Sequence, residues 1–180
     1  VSENELKQWT NFIPEMLSKI KLVRHGVNED VFNTASKVDC DRLRADLNIP
    51  ATKSILISAS RLVEMKGQDN IIRAFSNVKK VFDDVVLLII GEGGYQPYLV
   101  KLASDFGIES QVYFLGGVDR DTLSKYLRLS DIFVLPSRFE ESFGLVYIEA
   151  AACGIPSIAG NLGGVTDAVI NNETGIIIDS

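Results

Sequence analysis

Residues 132–160 read "IFVLPSRFEESFGLVYIEAAACGIPSIAG", and they hold one complete unit of structure. "IFVLP" (132–136) and "PSIAG" (156–160) are short, nearly continuous apolar runs, the pattern of strands covered on both faces. Between them the pattern predicts a helix from Phe143 and Gly144 to Cys153, stopped by Gly154 and Pro156. Strand, helix and strand in about 30 residues make a βαβ unit, which joins parallel strands. The same alternation runs from Ser54 onward. "SILISAS" (54–60), "VVLLIIG" (85–91), "VYFLG" (112–116) and "GIIID" (175–179) complete the predicted strands. "QDNIIRAFSNVKKVF", "YQPYLVKLASDFG", "DTLSKYLRLS" and "VTDAVINN" lie between strands and space their apolar residues by three and four, as helices do. The predicted fold is α/β, a doubly wound, Rossmann-like parallel sheet.

The first 50 residues follow a different pattern. "DRLRADLNI" (41–49) reads as a short helix, "KIKLVRHGV" (19–27) as a strand ending in a glycine turn, and residues 1–18 as one or two helical pieces with no partner layer. They read as the tail of a preceding domain and a linker. At the other end the chain stops at "IIIDS", a strand end with no closing helix, so it is expected to be a fragment.

With 180 residues and 46% hydrophobic side chains, the chain can bury one well-packed core. The net charge is −6 and the Lys and Arg residues are scattered, which argues against a nucleic-acid backbone as partner. Cys40 and Cys153 lie far apart, and His25 is the single histidine. No metal-ligand spacing results, and a reduced, cytosolic setting fits. No apolar run approaches the roughly 18 to 20 residues of a membrane span, and "VSENELKQW" lacks the pattern of a signal peptide.

Three stretches carry chemistry. "GEGGY" (91–95) follows a strand and opens a helix, where a dinucleotide fingerprint would lie. Gly91, Gly93 and Gly94 lack the third glycine of that fingerprint, and Leu115 and Gly116 stand where its acidic residue should follow. The glycines fit a ligand close to the backbone or a simple tight turn. "RLVEMK" (61–66) comes at the carboxyl end of the first strand, where ligands bind in open α/β sheets. Arg61 and Lys66 there suit a diphosphate, although a solvated charged loop reads the same. Gly67 next opens a helix whose amides are expected to favour an anion.

The third stretch is Glu141 to Glu149. Glu141 reads either as a first-turn acid or as a ligand group, and the amino end of the helix after it invites a phosphate. A solvent-facing helix position would explain Glu149 only if its flanks were polar, and they are Val146, Tyr147, Ile148 and a run of alanines. Eight residues of helix would separate the carboxylates by about 12 Å. That exceeds the roughly 5 to 9.5 Å of a hydrolytic pair. The spacing suits two hydroxyl-binding ends of one elongated ligand, with a phosphate between them.

Taken together, "SASRLVEMKGQDNIIRAF", "IIGEGGYQPYL", "VYFLGGV" and "IFVLPSRFEESFGLVYIEAAACGIPSIAGNLGGVTDAV" resemble the donor-binding, carboxyl-terminal domain of a retaining GT-B glycosyltransferase of the group 1 family (family 4). The resemblance covers residues 21–180, and its most specific part is the Glu-x7-Glu motif of Glu141 and Glu149. It implies that residues 1–30 are the tail of an acceptor domain and a linker, and residues 31–180 a nucleotide-sugar donor domain cut short at its carboxyl end. The implied catalytic residues are Arg61 and Lys66 on the donor diphosphate and Glu141 on the sugar hydroxyls. Donor binding would further use Gly91 and Gly93 beside the nucleotide, Val118 beside the base, the backbone of Ser142, Phe143, Gly144 and Leu145 for sugar and phosphate, and Glu149 for the ribose.

The donor implied is a UDP- or GDP-sugar, with no metal and no other cofactor, and with reaction at the anomeric carbon retaining configuration. An acceptor glycan or lipid-linked glycan would contact mainly the absent amino-terminal domain. The setting implied is cytoplasmic, and for a full-length protein it extends to a peripheral place at the inner membrane face. "VRHGVN" (23–28) departs from the family's "PNGV" element at Arg24 and His25, so His25 reads as structural. Two other readings stand beside the enzyme: a non-catalytic nucleotide-binding module, and a GT-B nucleotide-sugar epimerase.

Overall fold

A computed structural model describes residues 2–16, 18–34 and 38–179. Val1 and Ser180, the outer ends of the two predicted regions, lie outside the described residues. Six parallel strands, β1 (Ser54–Ala59), β2 (Val85–Ile90), β3 (Val112–Phe114), β4 (Ile132–Leu135), β5 (Ser157–Gly160) and β6 (Gly175–Ile178), form one sheet. Its order is β3-β2-β1-β4-β5-β6. The helices are α1 (Glu3–Phe12), α2 (Val38–Asp46), α3 (Gln68–Lys79), α4 (Gln96–Asp105), α5 (Arg120–Leu129), α6 (Leu145–Ala152) and α7 (Val165–Ala168). This is the doubly wound architecture that the strand pattern predicts, with every strand predicted from Ser54 onward in place to within a residue or two at its ends.

The strands are mostly apolar because alternate side chains feed two separate cores. Ile55, Ile57 and Ala59 of β1 join Val86, Leu88 and Ile90 of β2 and Phe133 and Leu135 of β4 on the face that packs Leu127 of α5 and Tyr147 and Ala150 of α6. Val85, Leu87 and Ile89 of β2 and Val134 of β4 point to the other face, against Ile71, Ile72 and Phe75 of α3 and Leu99 and Leu102 of α4. All six residues of β2 are therefore buried.

Tyr147 anchors α6 to the sheet. It is fully buried, packs edge-on against Phe133 with ring centres 5.6 Å apart, and donates its hydroxyl hydrogen to the carbonyl of Leu135 at 2.7 Å. Burial, and secondarily the charge of Glu141, push its phenol well above the ordinary range, so the group remains a donor at neutral pH. Burial likewise pushes the Cys153 thiol up to about 11, and among the described residues neither cysteine is in a disulfide.

Two predicted elements differ. Residues 19–27 form no strand: Val23 is 69% exposed, no described strand pairs with the segment, and an alternating pattern without a neighbouring backbone cannot hold an extended ladder. "VTDAVINN" yields only the four residues of α7. Val169 turns extended after it, the Ile170 amide donates to Thr174 Oγ1 at 2.9 Å, and Asn172 takes a positive φ of 65°. Residues 2–16 do form the helical pieces expected there, with α1 closed by a Ser2–Glu5 capping box. Among the described residues, no helix is long and apolar enough to cross a membrane.

Tyr147→Phe keeps the ring packing and removes one buried hydrogen bond. Urea denaturation should show stability lower by about 0.5 to 1.5 kcal/mol with an unchanged slope. A shift within error would show that the hydroxyl does not hold α6.

Candidate functional site

The helices that follow β1 and β4, α3 and α6, pack on opposite faces of the sheet, so the loops leaving these adjacent strands diverge and open a crevice at the carboxyl edge. A cleft of about 970 Å³ lies there. Its walls come from the loop after β1, the loop after β2, the turn before α5, and the long loop between β4 and α6.

The first two walls are fused backbone to backbone. A Cβ on Gly91 would stand 1.9 Å from the Ser60 carbonyl oxygen, and one on Gly93 would stand 2.1 Å from that of Leu62. Between these contacts the Leu62 amide donates to the Glu92 carbonyl at 2.8 Å and the Tyr95 amide to the Leu62 carbonyl at 3.1 Å. Gly91 lines the cleft but Gly93 does not. The absent side chain of Gly93 makes room for the β1 loop.

Arg61 and Lys66 both line the cleft. Lys66 ends a one-turn 3-10 helix, Glu64–Lys66, and its ammonium lies 2.5 Å from Glu141 Oε1, with both side chains mostly buried. Ser137 donates its hydroxyl hydrogen to the same oxygen. Arg61 is exposed and, among the described residues, is the arginine of the cleft with no ion pair. The amino end of α3, where the sequence leads to the expectation of an anion, does not open into the cleft. Gly67, Gln68 and Asp69 are buried there, none of them lines the cleft, and the Asp69 carboxylate is held by Arg138.

Arg138 ties the β4 loop to the β1 loop. Its amide donates to the Met65 carbonyl at 2.8 Å, and its guanidinium donates to Asp69 Oδ2 at 2.7 Å and Asn70 Oδ1 at 2.8 Å. The bond to Asp69 raises the guanidinium's pKa above its ordinary value. This clamp sets Lys66 beside Glu141.

Glu141 stands outside α6, which begins only at Leu145, so the helical rise does not measure its separation from Glu149. It sits in an isolated bridge with Gly163, with the Gly164 amide donating to its carbonyl at 2.6 Å. From there Ser142, Phe143, Gly144 and Leu145 line the cleft up to the helix. Gly144 holds φ +82°, and no side chain caps the helix it opens. The first amides of α6 are thus left for a ligand or water.

Glu149 lines the same cleft, 3% exposed, with Oε1 paired to Arg120 Nη2 at 2.8 Å. Val118 and His25 line it too, the His25 ring 5.4 Å from that of Phe143. The sequence reading missed Arg120 and the place of His25. For Arg120 a signal existed, since a cation at the first position of a helix opposes the macrodipole and needs a reason. For His25 there was none, because an aperiodic segment does not say what it lies against. Among the described residues, no group of three or more His, Cys, Asp or Glu side chains is arranged to hold a metal ion.

A family model described as glycosyl transferases group 1 matches residues 39–180. The chain is 38% identical over 160 residues to a GDP-mannose-dependent alpha-(1-6)-phosphatidylinositol monomannoside mannosyltransferase of Mycobacterium tuberculosis, with 79% of this chain and 41% of that protein covered. It is 34% identical over 179 residues to a D-inositol 3-phosphate glycosyltransferase of Mycolicibacterium smegmatis, covering 99% of this chain and 40% of the other. The chain thus spans about two fifths of the length of these relatives. Among solved structures, HepE of Anabaena in complex with UDP and glucose superposes with a TM-score of 0.81 at 25% identity, over 91% of this chain and 44% of that one. WaaG, a glycosyltransferase involved in lipopolysaccharide biosynthesis, matches with a TM-score of 0.87 at 17% identity, over 100% of this chain and 48% of that one, which shows shared fold alone.

Gly144 is the backbone constraint of the site, because a Cβ there would stand 2.5 Å from Tyr147 Cδ2. Gly144→Ala should cost about 1 to 3 kcal/mol in a thermal or urea melt. Gly94→Ala, with open space around it, should stay near wild type, and equal effects would refute the constraint.

Proposed function

The chain belongs to the glycosyl transferases of group 1, and from that membership we propose that residues 31–180 are the donor-binding, carboxyl-terminal half of a GT-B, family 4 retaining enzyme. Residues 1–30 are then the linker and the tail of an acceptor domain. Its parallel sheet is the α/β fold of the GT-B enzymes it superposes on. The observation that carries the proposal is the convergence, in one cleft, of Arg61 and Lys66, the uncapped start of α6, and the carboxylates of Glu141 and Glu149. That set matches a nucleotide diphosphate sugar read from end to end.

In this reading Arg61, Lys66 and the start of α6 take the diphosphate and stabilise it as it leaves, an electrostatic role that needs no proton transfer. Glu141 takes sugar hydroxyls and Glu149 the ribose. The donor in this reading is a UDP- or GDP-sugar. The mycobacterial relative's description names GDP-mannose and the Anabaena structures hold UDP, glucose or UDP-glucose. No metal is invoked. The acceptor, a glycan or lipid-linked glycan, is assigned to the other half of the enzyme, and the enzyme to the cytoplasmic side.

Because Lys66 is paired with Glu141 rather than lying free, its loss should be felt at both the diphosphate and the sugar. Arg61→Ala is expected to weaken UDP or GDP binding about 10-fold to 150-fold, the equivalent of one charged hydrogen bond. Lys66→Ala should do the same and also erase any preference for the nucleotide sugar over the free nucleotide. Ligand-observed NMR titrations of the 180-residue chain read both effects. Unchanged affinities in both variants would return the loop to a solvated surface.

The two glutamates make a sharper test. Glu149→Ala should weaken the free nucleotide and the nucleotide sugar by a similar factor. Glu141→Ala should weaken only the nucleotide sugar, by about 10-fold or more. A non-catalytic nucleotide module predicts no sugar preference in the unaltered chain, and that result would overturn the transferase reading of Glu141.

A further inference from the structure

Arg120 occupies a position that helix electrostatics disfavours. It is the first residue of α5, directly after the N-cap Asp119, whose carboxylate accepts the Thr122 amide hydrogen. The amino end of a helix carries partial positive charge, so a cation there is opposed unless something outside the helix holds it. Two things do. Its Nη2 lies 2.8 Å from Glu149 Oε1 on α6, and its guanidinium lies over the ring of Phe32, 4.9 Å from the centre.

These partners differ in kind. Glu149 is a carboxylate on a hydrophobic helix, its side chain only 5% exposed, and a buried carboxylate without a counter-charge is strongly disfavoured. Among the described residues, Arg120 is the one cation paired with it. Phe32 is 1% exposed and comes from the segment that enters the domain. That segment is itself fixed: the Phe32 amide donates to the Asn28 carbonyl at 2.9 Å, and Arg128 of α5 donates to the Val31 carbonyl at 3.3 Å. The flat guanidinium is thus backed by a fixed ring, with its edge on the carboxylate. A lysine offers neither the plane nor the fork.

We propose that Arg120 is a positioning residue of the nucleotide site: braced on Phe32, it orients the Glu149 carboxylate by engaging one of its oxygens, leaving the other to receive hydroxyl hydrogens from a bound ribose. This rests on Glu149 as the ribose carboxylate. Without Arg120 the carboxylate loses its counter-charge and its orientation. It is then free to turn toward water, and its oxygen is no longer held where a ribose hydroxyl can reach it. The entering segment thereby becomes part of nucleotide recognition through Phe32, although Phe32 does not line the cleft.

The readout is hydroxyl discrimination, which a purely structural role would not move. The 180-residue chain is titrated with GDP and UDP and with their 2′,3′-dideoxy forms, and the tighter-binding base is carried forward. The unaltered chain is expected to prefer the ribonucleotide by about tenfold or more. In Arg120→Ala that ratio should fall to within about twofold of unity while dideoxynucleotide affinity changes by less than about twofold. Arg120→Lys, which restores charge without the plane, should fall between, and so should Phe32→Leu, which keeps the buried volume apolar.

Arg120 has a largely exposed side chain, 59%, so its variants are expected to fold, and circular dichroism checks that. A ratio preserved in Arg120→Ala overturns the proposal. So does an equal loss of both ligands, which would make Arg120 a packing residue. A rise in the ratio also overturns it, since Arg120 would then compete with the ribose. If the unaltered chain binds nucleotide with no hydroxyl preference, the ribose assignment of Glu149 falls and this inference with it, while the diphosphate site stands. If it binds no nucleotide at all, the whole donor-site reading fails.

Discussion

The architecture depends on one pairing, that of β1 with β4. Three helices and two strands separate them along the chain, yet they lie side by side, in register at Leu56 with Ile132 and at Ile57 with Phe133. Asp131 fixes the register: its carboxylate accepts the Ile55 amide hydrogen at 2.7 Å and its own amide donates to the Ile55 carbonyl at 2.9 Å. Winding reverses at this pair, so the polypeptide leaves β1 and β4 in opposite directions and cannot cover the gap between them. Everything in the cleft follows. The β1 loop supplies cations, the β4 loop supplies Glu141 and the mouth of α6, and neither could face the other if the two strands stood apart.

In and behind the cleft, three ion pairs join its walls across loop boundaries. Lys66 of the β1 loop pairs with Glu141 of the β4 loop, Arg138 of the β4 loop with Asp69 of α3, and Arg120 of α5 with Glu149 of α6. Each pair joins elements that the chain brings together only through the sheet, so the pairs act as ties between walls as well as polar groups. Arg61 is the cleft arginine left over. The Lys66 ammonium is shared with Glu141, while among the described residues Arg61 has no ion pair.

The sequence makes the sheet legible because buried parallel strands leave a strong local trace. β2 is six apolar residues in a row, and the turn that follows it carries Gly91, Gly93 and Gly94. The Glu-x7-Glu spacing and the paired Arg61 and Lys66 likewise lie within short windows, and all four side chains reach one cleft. What is not legible is anything set by a distant partner. Gly93 looks like a ligand-facing glycine, and only the fold shows Leu62 pressed against it. The alternation in residues 19–27 looks like a strand, but a strand needs a neighbour. Glu141 looks like the first turn of a helix until Gly144, with its positive φ, delays the helix to Leu145. Arg120 and His25 gain their meaning from Glu149 and Phe143, far away in the chain.

The clamp at Arg138 also restricts how this sequence can drift. Asp69 has its side chain 7% exposed, and its Oδ1 is buried without a hydrogen-bond partner, so the aspartate already stands at the edge of tolerance and rests on a single guanidinium. Losing Arg138 alone strands a buried carboxylate, and losing Asp69 alone strands a half-buried cation. Exchanging both for apolar residues of similar bulk removes the liability altogether. Substitution at these two positions should therefore proceed in pairs, through few viable single-step intermediates. Descendants of this sequence are expected to keep both residues or neither, and a lineage with neither would need another tie to hold Lys66 beside Glu141.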